Sequence, residues 1–281
     1  MTESGAGKSE AQPAGGPPAY LIFDTESVPD GRLLGKVKYQ TEELPEEEAV
    51  RRAQNEAREQ SRVGSDFIPY TFQVPIAVCV IRVAADFGLQ QITPLGAPNF
   101  RPGEIVQQFW TGVSLCLKKF VKLKLITFNG RGFDLPLMEL AAFRYRITCG
   151  SEYFARSRDR YRSNHIDLLD WLSNVGATRL PGGLNLLSKI LGKPGKMDVA
   201  GDQVYEMHRA GRLQEINDYC MFDTLDTYFV FLRTRVMTGE ITGQQEEEVV
   251  ERARSWLAGR VNELPGLAKY LENWGTWEPW P

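Results

Sequence analysis

The chain has 281 residues, of which 42% are hydrophobic and 25% charged. That is enough for one large domain or two small ones, and too apolar for disorder throughout. No run approaches the roughly 18 apolar residues of a membrane span, and the first residues lack the apolar core of a secretory signal; no membrane association and a cytoplasmic location are the expectations. Cys79, Cys116, Cys149 and Cys220 form no CxxC pair, and neither His165 nor His208 joins them at zinc spacing, which excludes disulfide and zinc-finger scaffolds. The net charge of −3 speaks against a partner with a long run of phosphates.

Residues 1–19 read as a disordered arm rich in Gly, Pro, Ser and Ala. Its Gly5-Ala6-Gly7-Lys8-Ser9 lacks the first glycine and the preceding strand of a phosphate-binding loop, since Thr2 stands where that glycine belongs. Order begins at Tyr20-Leu21-Ile22-Phe23, a short buried strand delivering Asp24-Thr25-Glu26 at its end. Residues 42–62 are crowded with Glu and Arg around small apolar residues, as in a solvated helix or mobile insertion. Strand patterns resume at 74–83 and 89–95 across the turn Asp86-Phe87-Gly88, which suggests an antiparallel meander of three strands. A helix over 103–120, a strand over 123–128, a helix over 134–146 and a short strand ending near Ile166 follow. Such alternation marks the α/β class. Helices are expected over 184–191, 203–210, 213–236, 244–257 and 264–272.

Chemistry-bearing residues sit at three places in this order. Asp24 and Glu26 are two apart, so a strand points both carboxylates to one face, where they invite a hard cation. Asn129-Gly130-Arg131-Gly132-Phe133-Asp134 forms a strand-to-helix turn, with Asp134 at or near the helix N-cap; capping alone is the plain use of an aspartate there. Tyr219 and Asp223 are four apart in a helix that is apolar nearly all round. A carboxylate buried in such a helix must be paired or coordinate a metal.

The segments Phe23-Asp24-Thr25-Glu26-Ser27-Val28-Pro29-Asp30, Thr127-Phe128-Asn129-Gly130-Arg131, Phe133-Asp134-Leu135-Pro136, His165-Ile166-Asp167-Leu168 and Tyr219-Cys220-Met221-Phe222-Asp223-Thr224 carry a resemblance. Together they resemble the tyrosine-bearing branch of the DEDD exonucleases, and within it the predicted 3′-5′ exonucleases related to the proofreading domain of family B DNA polymerases. The resemblance spans about residues 20–235. It implies a ribonuclease H-like α/β fold with a mixed sheet of about five strands flanked by helices. The expected organisation is an exonuclease domain over 20–236 with a charged insertion at 42–62, then a C-terminal helical extension with a Trp-rich tail over 237–281, the tail lying beyond the resemblance. Asp24, Glu26, Asp134 and Asp223 would then hold two divalent cations, Mg²⁺ or Mn²⁺, and Tyr219 would orient the attacking water. The implied substrate is the 3′ end of a single-stranded nucleic acid, with DNA favoured. An exoribonuclease of the same chemistry, or an inactive module that only binds nucleic acid, are the alternatives. His165 and Asp170, five apart, imitate the histidine-bearing branch, but the short spacing from Asp134 to His165 favours a strand end with Asp167 capping the next helix.

Candidate substrate contacts are Thr25, Asn129 and Phe133 beside the carboxylates, Arg156 and Arg158 in an arginine- and aromatic-rich stretch over 144–162, and Lys196 in Gly192-Lys193-Pro194-Gly195-Lys196. Arginines reach phosphates and aromatic rings stack bases. The stretch over 144–162 could equally be a surface that pairs with the acidic residues of 42–59. The tail Trp274-Gly275-Thr276-Trp277-Glu278-Pro279-Trp280-Pro281 is expected to fold back on its domain, with docking onto a protein partner as the alternative.

Overall fold

The computed structural model describes residues 16–159, 162–197 and 203–276. Residues 1–15 of the arm, Arg160, Tyr161, Trp277 and Trp280 lie outside them, and the last two residues of the expected arm, Pro18 and Ala19, are not disordered but open the first strand, which pairs with the second. A five-stranded sheet runs in the order β3 (Leu89–Pro94), β2 (Gln73–Ala84), β1 (Pro18–Pro29), β4 (Lys124–Thr127), β5 (His165–Asp167). The first three strands pair antiparallel, as the meander requires, while β4 and β5 run parallel to β1. This is the mixed α/β sheet of a ribonuclease H-like fold.

Both sheet faces are covered, which explains why β1 opens as an uninterrupted apolar run. Leu21 and Phe23 pack beneath α3 (Pro102–Lys119) and α4 (Asp134–Tyr145), together with Phe109, Trp110 and Met138. Ile22 points the other way, into a core built on α9 (Leu213–Met237), whose Ile216, Cys220, Leu225 and Phe231 are buried. Strand alternation therefore sends Asp24 and Glu26 to the α9 face and Thr25 to the α4 face.

β1 does not stop at Phe23. Antiparallel pairing with β2 carries it to Pro29, so the two acids lie within the strand and not past its end. They nevertheless lie beyond the parallel pairing with β4, which covers only Tyr20 to Ile22. The crevice at the carboxyl ends of the parallel strands thus opens beside them. A register shift in the β1–β2 ladder follows Glu26 directly, the kind of bulge that re-aims side chains at a site.

The acidic segment is ordered: α1 (Gly31–Val37) and α2 (Glu46–Gln60) form a small second core, in which Ala49, Val50 and Ala53 meet Leu34, Tyr39 and Ile68. Its charges pair largely among themselves, as in Arg52 with Glu42 at 2.6 Å and Lys38 with Glu56 at 2.9 Å. Two short helices, α5 (Ser151–Arg156) and α6 (Leu168–Leu172), flank β5. The helices α7 (Gly183–Ile190), α8 (Val204–Arg209), α10 (Gly243–Ala258) and α11 (Gly266–Glu272) surround α9. No described helix is long and apolar enough to cross a membrane.

Candidate active site

One carboxylate oxygen from each of Asp24, Glu26 and Asp223 lies within 4.8 Å of the others. Two come from neighbouring positions on one face of β1 and the third from the turn of α9 packed over it. All three are half-buried. Burial and mutual repulsion both disfavour their charged forms. Asp24 titrates well above the usual carboxylate range, first through burial and then through Asp134, Asp223 and Glu26. Glu26 is raised for the same reasons, and the Lys196 charge opposes the shift. Burial raises Asp223 to about 6, while Tyr219 and Lys196 restrain it. Cys220 Sγ donates to the Asp24 backbone carbonyl at 3.3 Å and fixes β1 against α9 at this point.

Asp134 adjoins the triad from the opposite face of the sheet. It is the first residue of α4 and leaves the helix uncapped: Phe133 occupies the N-cap without a side-chain hydrogen bond. Burial raises Asp134 to about 7. Its Oδ1 is buried with no hydrogen-bond partner among the described residues, as is Thr25 Oγ1. A buried carboxylate oxygen left without a donor, beside three more acids, is a site short of positive charge. Oxygen-only donors of this kind suit Mg²⁺ or Mn²⁺, so the residues present fit the implied cations.

Tyr219 is buried one turn before Asp223; burial and the neighbouring Asp223 and Glu26 charges push the phenol far above its ordinary range. A neutral phenol is the form that persists there. A cavity of about 220 Å³ opens beside its ring, lined by Gly195, Met197, Asp218, Phe222 and Lys269 among others.

Asp167 organises the loop that presents Asp134. It ends β5 and caps α6 by accepting the Leu169 N–H at 3.0 Å. It also accepts the N–H groups of Asn129 and Arg131, both at 2.8 Å. Asn129 is left-handed, at φ 67°, a conformation asparagine tolerates better than most residues. Gly130 is required by crowding, because a Cβ there would sit 2.4 Å from Thr127 Oγ1. That hydroxyl is in turn 2.8 Å from His165 Nε2, and burial lowers His165 to about 3. Asp170 pairs instead with Arg131 at 2.9 Å, on the surface.

The basic candidates divide. Lys196 is exposed, with its backbone N–H held by Asn185 Oδ1 at 2.8 Å, and its charge acts on Glu26 and Asp223. Its loop is clamped from the C-terminal side. Gly275 N–H donates to Gly192 O at 2.9 Å, and Lys193 Nζ lies 4.0 Å from the Trp274 ring centroid. Gly192 is left-handed, and a Cβ there would stand 2.8 Å from Gly275 O. Trp274 also packs edge-on against Phe229, so this part of the tail folds back on the domain. Arg156 donates to the carbonyls of Leu117 and Val121, and Arg158 pairs with Glu139 at 2.8 Å. Arg144 pairs with Asp30 at 3.0 Å. No described arginine of 144–162 pairs with the acidic segment 42–59, which takes its partners from its own helices and from Arg32 and Arg209. The loop-organising role of Asp167 escapes sequence reading, because its partners are some forty residues away and spacing gives no signal of them.

A family model described as predicted 3′-5′ exonucleases related to the exonuclease domain of PolB matches residues 65–274. The chain belongs to this family. The match takes in Asp134, Tyr219 and Asp223 and begins after Asp24 and Glu26, which enter the site through the geometry of β1. Among solved structures, E. coli exonuclease I bound to a dA16 oligonucleotide is similar at 13% identity and a TM-score of 0.37, over 82% of this chain and 42% of that one. Its complex with a dT13 oligonucleotide gives 13% and 0.36 over 78% and 42%, and an ExoI/SSB-Ct complex 13% and 0.37 over 83% and 43%. The chain thus spans less than half the length of these proteins. No curated protein matches it.

Proposed function

We propose that this protein is a metal-dependent 3′-5′ exonuclease that hydrolyses phosphodiester bonds from the 3′ end of single-stranded nucleic acid. The observation that carries the reading is the convergence of Asp24, Glu26 and Asp223 with the partnerless Asp134 oxygen beside them. Membership of the exonuclease family supports it, and relation to a DNA polymerase domain favours DNA over RNA. Asp24, Glu26, Asp134 and Asp223 would hold two cations, Mg²⁺ or Mn²⁺. When bound, the ions would cancel the formal charge of the four acids, activate water and stabilise the leaving oxygen. Tyr219, a neutral phenol one turn before Asp223, would orient that water. Attack at the terminal phosphorus breaks its bond to the preceding 3′ oxygen, which leaves with a proton as the new strand end; a nucleoside 5′-monophosphate is released. Lys196, whose charge acts on Glu26 and Asp223, is the candidate phosphate contact, with Thr25, Asn129 and Phe133 around the terminal nucleotide. Arg156 and Arg158 keep their intramolecular partners in this reading. Four free, buried cysteines fit a reducing compartment such as the cytoplasm.

The test is digestion of 5′-labelled single-stranded DNA and RNA with Mg²⁺ or Mn²⁺, alongside Asp24→Asn and an EDTA control. A 3′-shortening ladder that the substitution and EDTA abolish is the expected result. Binding without cleavage would replace the enzyme with a binding module. Internal cuts on a 3′-blocked strand would replace it with an endonuclease.

A further inference from the structure

The ring of Phe67 stands edge-on to that of Phe133, with centroids 5.7 Å apart and planes at 60°. Phe67 is 57% exposed. It comes from the loop between α2 and β2, a stretch without an evident chemical motif. Isolated exposed phenylalanines are ordinary; this one is held in place at both ends.

On one side, Phe133 is bonded to Asp134. On the other, Phe67 is bonded to Ile68, whose carbonyl accepts from Gln73 Nε2, and Gln73 Oε1 accepts from Ser27 Oγ, next to Glu26. The aromatic pair therefore bridges two strands of connection that each end at a carboxylate of the site. Ile68 is buried among Leu34, Tyr39 and Val50, so the apolar face of the charged insertion is the anchor of this loop. Arg58 adds a pair with Asp66 at 2.7 Å, directly before Phe67.

Two rings without a polar handle can recognise only an apolar face. The neighbouring acids and Lys196 suit a phosphodiester, and a nucleobase, joined to it through the sugar, presents a flat face that stacks on aromatic rings. We propose that Phe67 and Phe133 form one stacking subsite for a nucleobase of the strand held at the carboxylates, with Phe67 as the half supplied by the charged insertion. The inference rests on the exonuclease reading above for its substrate class. Stacking accepts any base, so the subsite grips the strand without reading its sequence.

The experiment measures binding of single-stranded oligonucleotides carrying 2-aminopurine or an abasic site in the last two 3′ positions, in Ca²⁺, to the wild type, Phe67→Ala, Phe67→Leu and Phe67→Trp, with folding checked by circular dichroism. The wild type is expected to quench 2-aminopurine and to lose about tenfold or more in affinity on the abasic strand, the scale of one base stacked on an aromatic ring. Phe67→Ala and Phe67→Leu should lose the quenching and discriminate little against the abasic strand, and Phe67→Trp should restore both. Quenching and abasic discrimination that survive in Phe67→Ala and Phe67→Leu would overturn the inference, even where the wild type shortens the strands in Mg²⁺ or Mn²⁺. A wild type that shortens no strand would overturn the exonuclease reading, and the Ca²⁺ measurements would still decide the subsite.

Discussion

The Tyr270 hydroxyl donates to Asp226 Oδ1 at 2.7 Å, both groups being fully enclosed by protein. Asp226 lies one turn after Asp223 on α9, and burial raises it to about 7, with Tyr270 opposing the shift. Tyr270→Phe removes the donor and leaves the carboxylate oxygen unsatisfied. A loss of about 1–3 kcal/mol in unfolding free energy is expected, as for other orphaned buried polar groups, read from the denaturant midpoint at constant slope. An unchanged midpoint would mean that Asp226 finds another donor.

Asp167 serves three backbone donors, two in the loop between β4 and α4 and one in the first turn of α6. Asp167→Ala should therefore cost about 1–3 kcal/mol of stability and also let the loop bearing Asp134 move. The measurement is kcat against the same variant's denaturation curve, under conditions where it remains folded. Asp167→Asn keeps one acceptor oxygen and should recover part of both losses. Full activity in folded Asp167→Ala would show that α4 alone positions Asp134.

The carboxylate cluster trades stability for chemistry. Asp24→Asn removes one like charge from a set in which Asp134, Asp223 and Glu26 all raise Asp24. The metal-free variant is expected to melt a few degrees above the wild type, as about 1 kcal/mol produces in a domain of this size. Its activity should fall roughly a thousandfold or more, the scale of several kcal/mol of lost metal-dependent stabilisation. Calorimetry with and without Mn²⁺ should show the metal-induced rise in Tm reduced in the variant. A lower metal-free Tm would contradict the like-charge account.

The same groups set the pH dependence. Asp223 is raised to about 6 and Asp134 to about 7, above the unfolded carboxylate range near 4. Between those values the folded protein binds more protons than the unfolded one, so the metal-free protein loses stability as pH rises from about 4 to 7. A divalent cation competes with those protons. Its stabilising effect should grow over the same interval and level off above it. Thermal melts at pH 5, 6, 7 and 8, with EDTA or Mn²⁺, check both slopes; parallel curves would rule out the coupling.

The parts of the site legible in the sequence are those written in short-range periodicity. Alternation in β1 puts Asp24 and Glu26 on one face, and a four-residue step in an all-round apolar helix puts Tyr219 over Asp223. The α/β order, the meander and the long α9 follow from the same patterns. Long-range pairing is what the patterns omit. β1 reaches Pro29 because β2 pairs with it, and Asp167 holds Asn129 and Arg131 across two connections. The acidic segment reads as solvated because its few small apolar residues look insufficient for a core; Leu34, Tyr39 and Ile68, from outside it, complete one. Phe67 goes unread because nothing in its neighbours reveals that Gln73 ties its loop to Ser27.

The clamp on the loop bearing Lys196 also sets an order of assembly. Asp24, Glu26, Asp134 and Asp223 all precede Tyr270, Trp274 and Gly275 in the chain. A nascent chain can bring the acids together while the loop from Gly192 to Lys196 still lacks its latch. The lysine whose charge acts on Glu26 and Asp223 keeps its hold on Asn185 throughout, but its loop gains the Gly275 latch only after all four acids have been made.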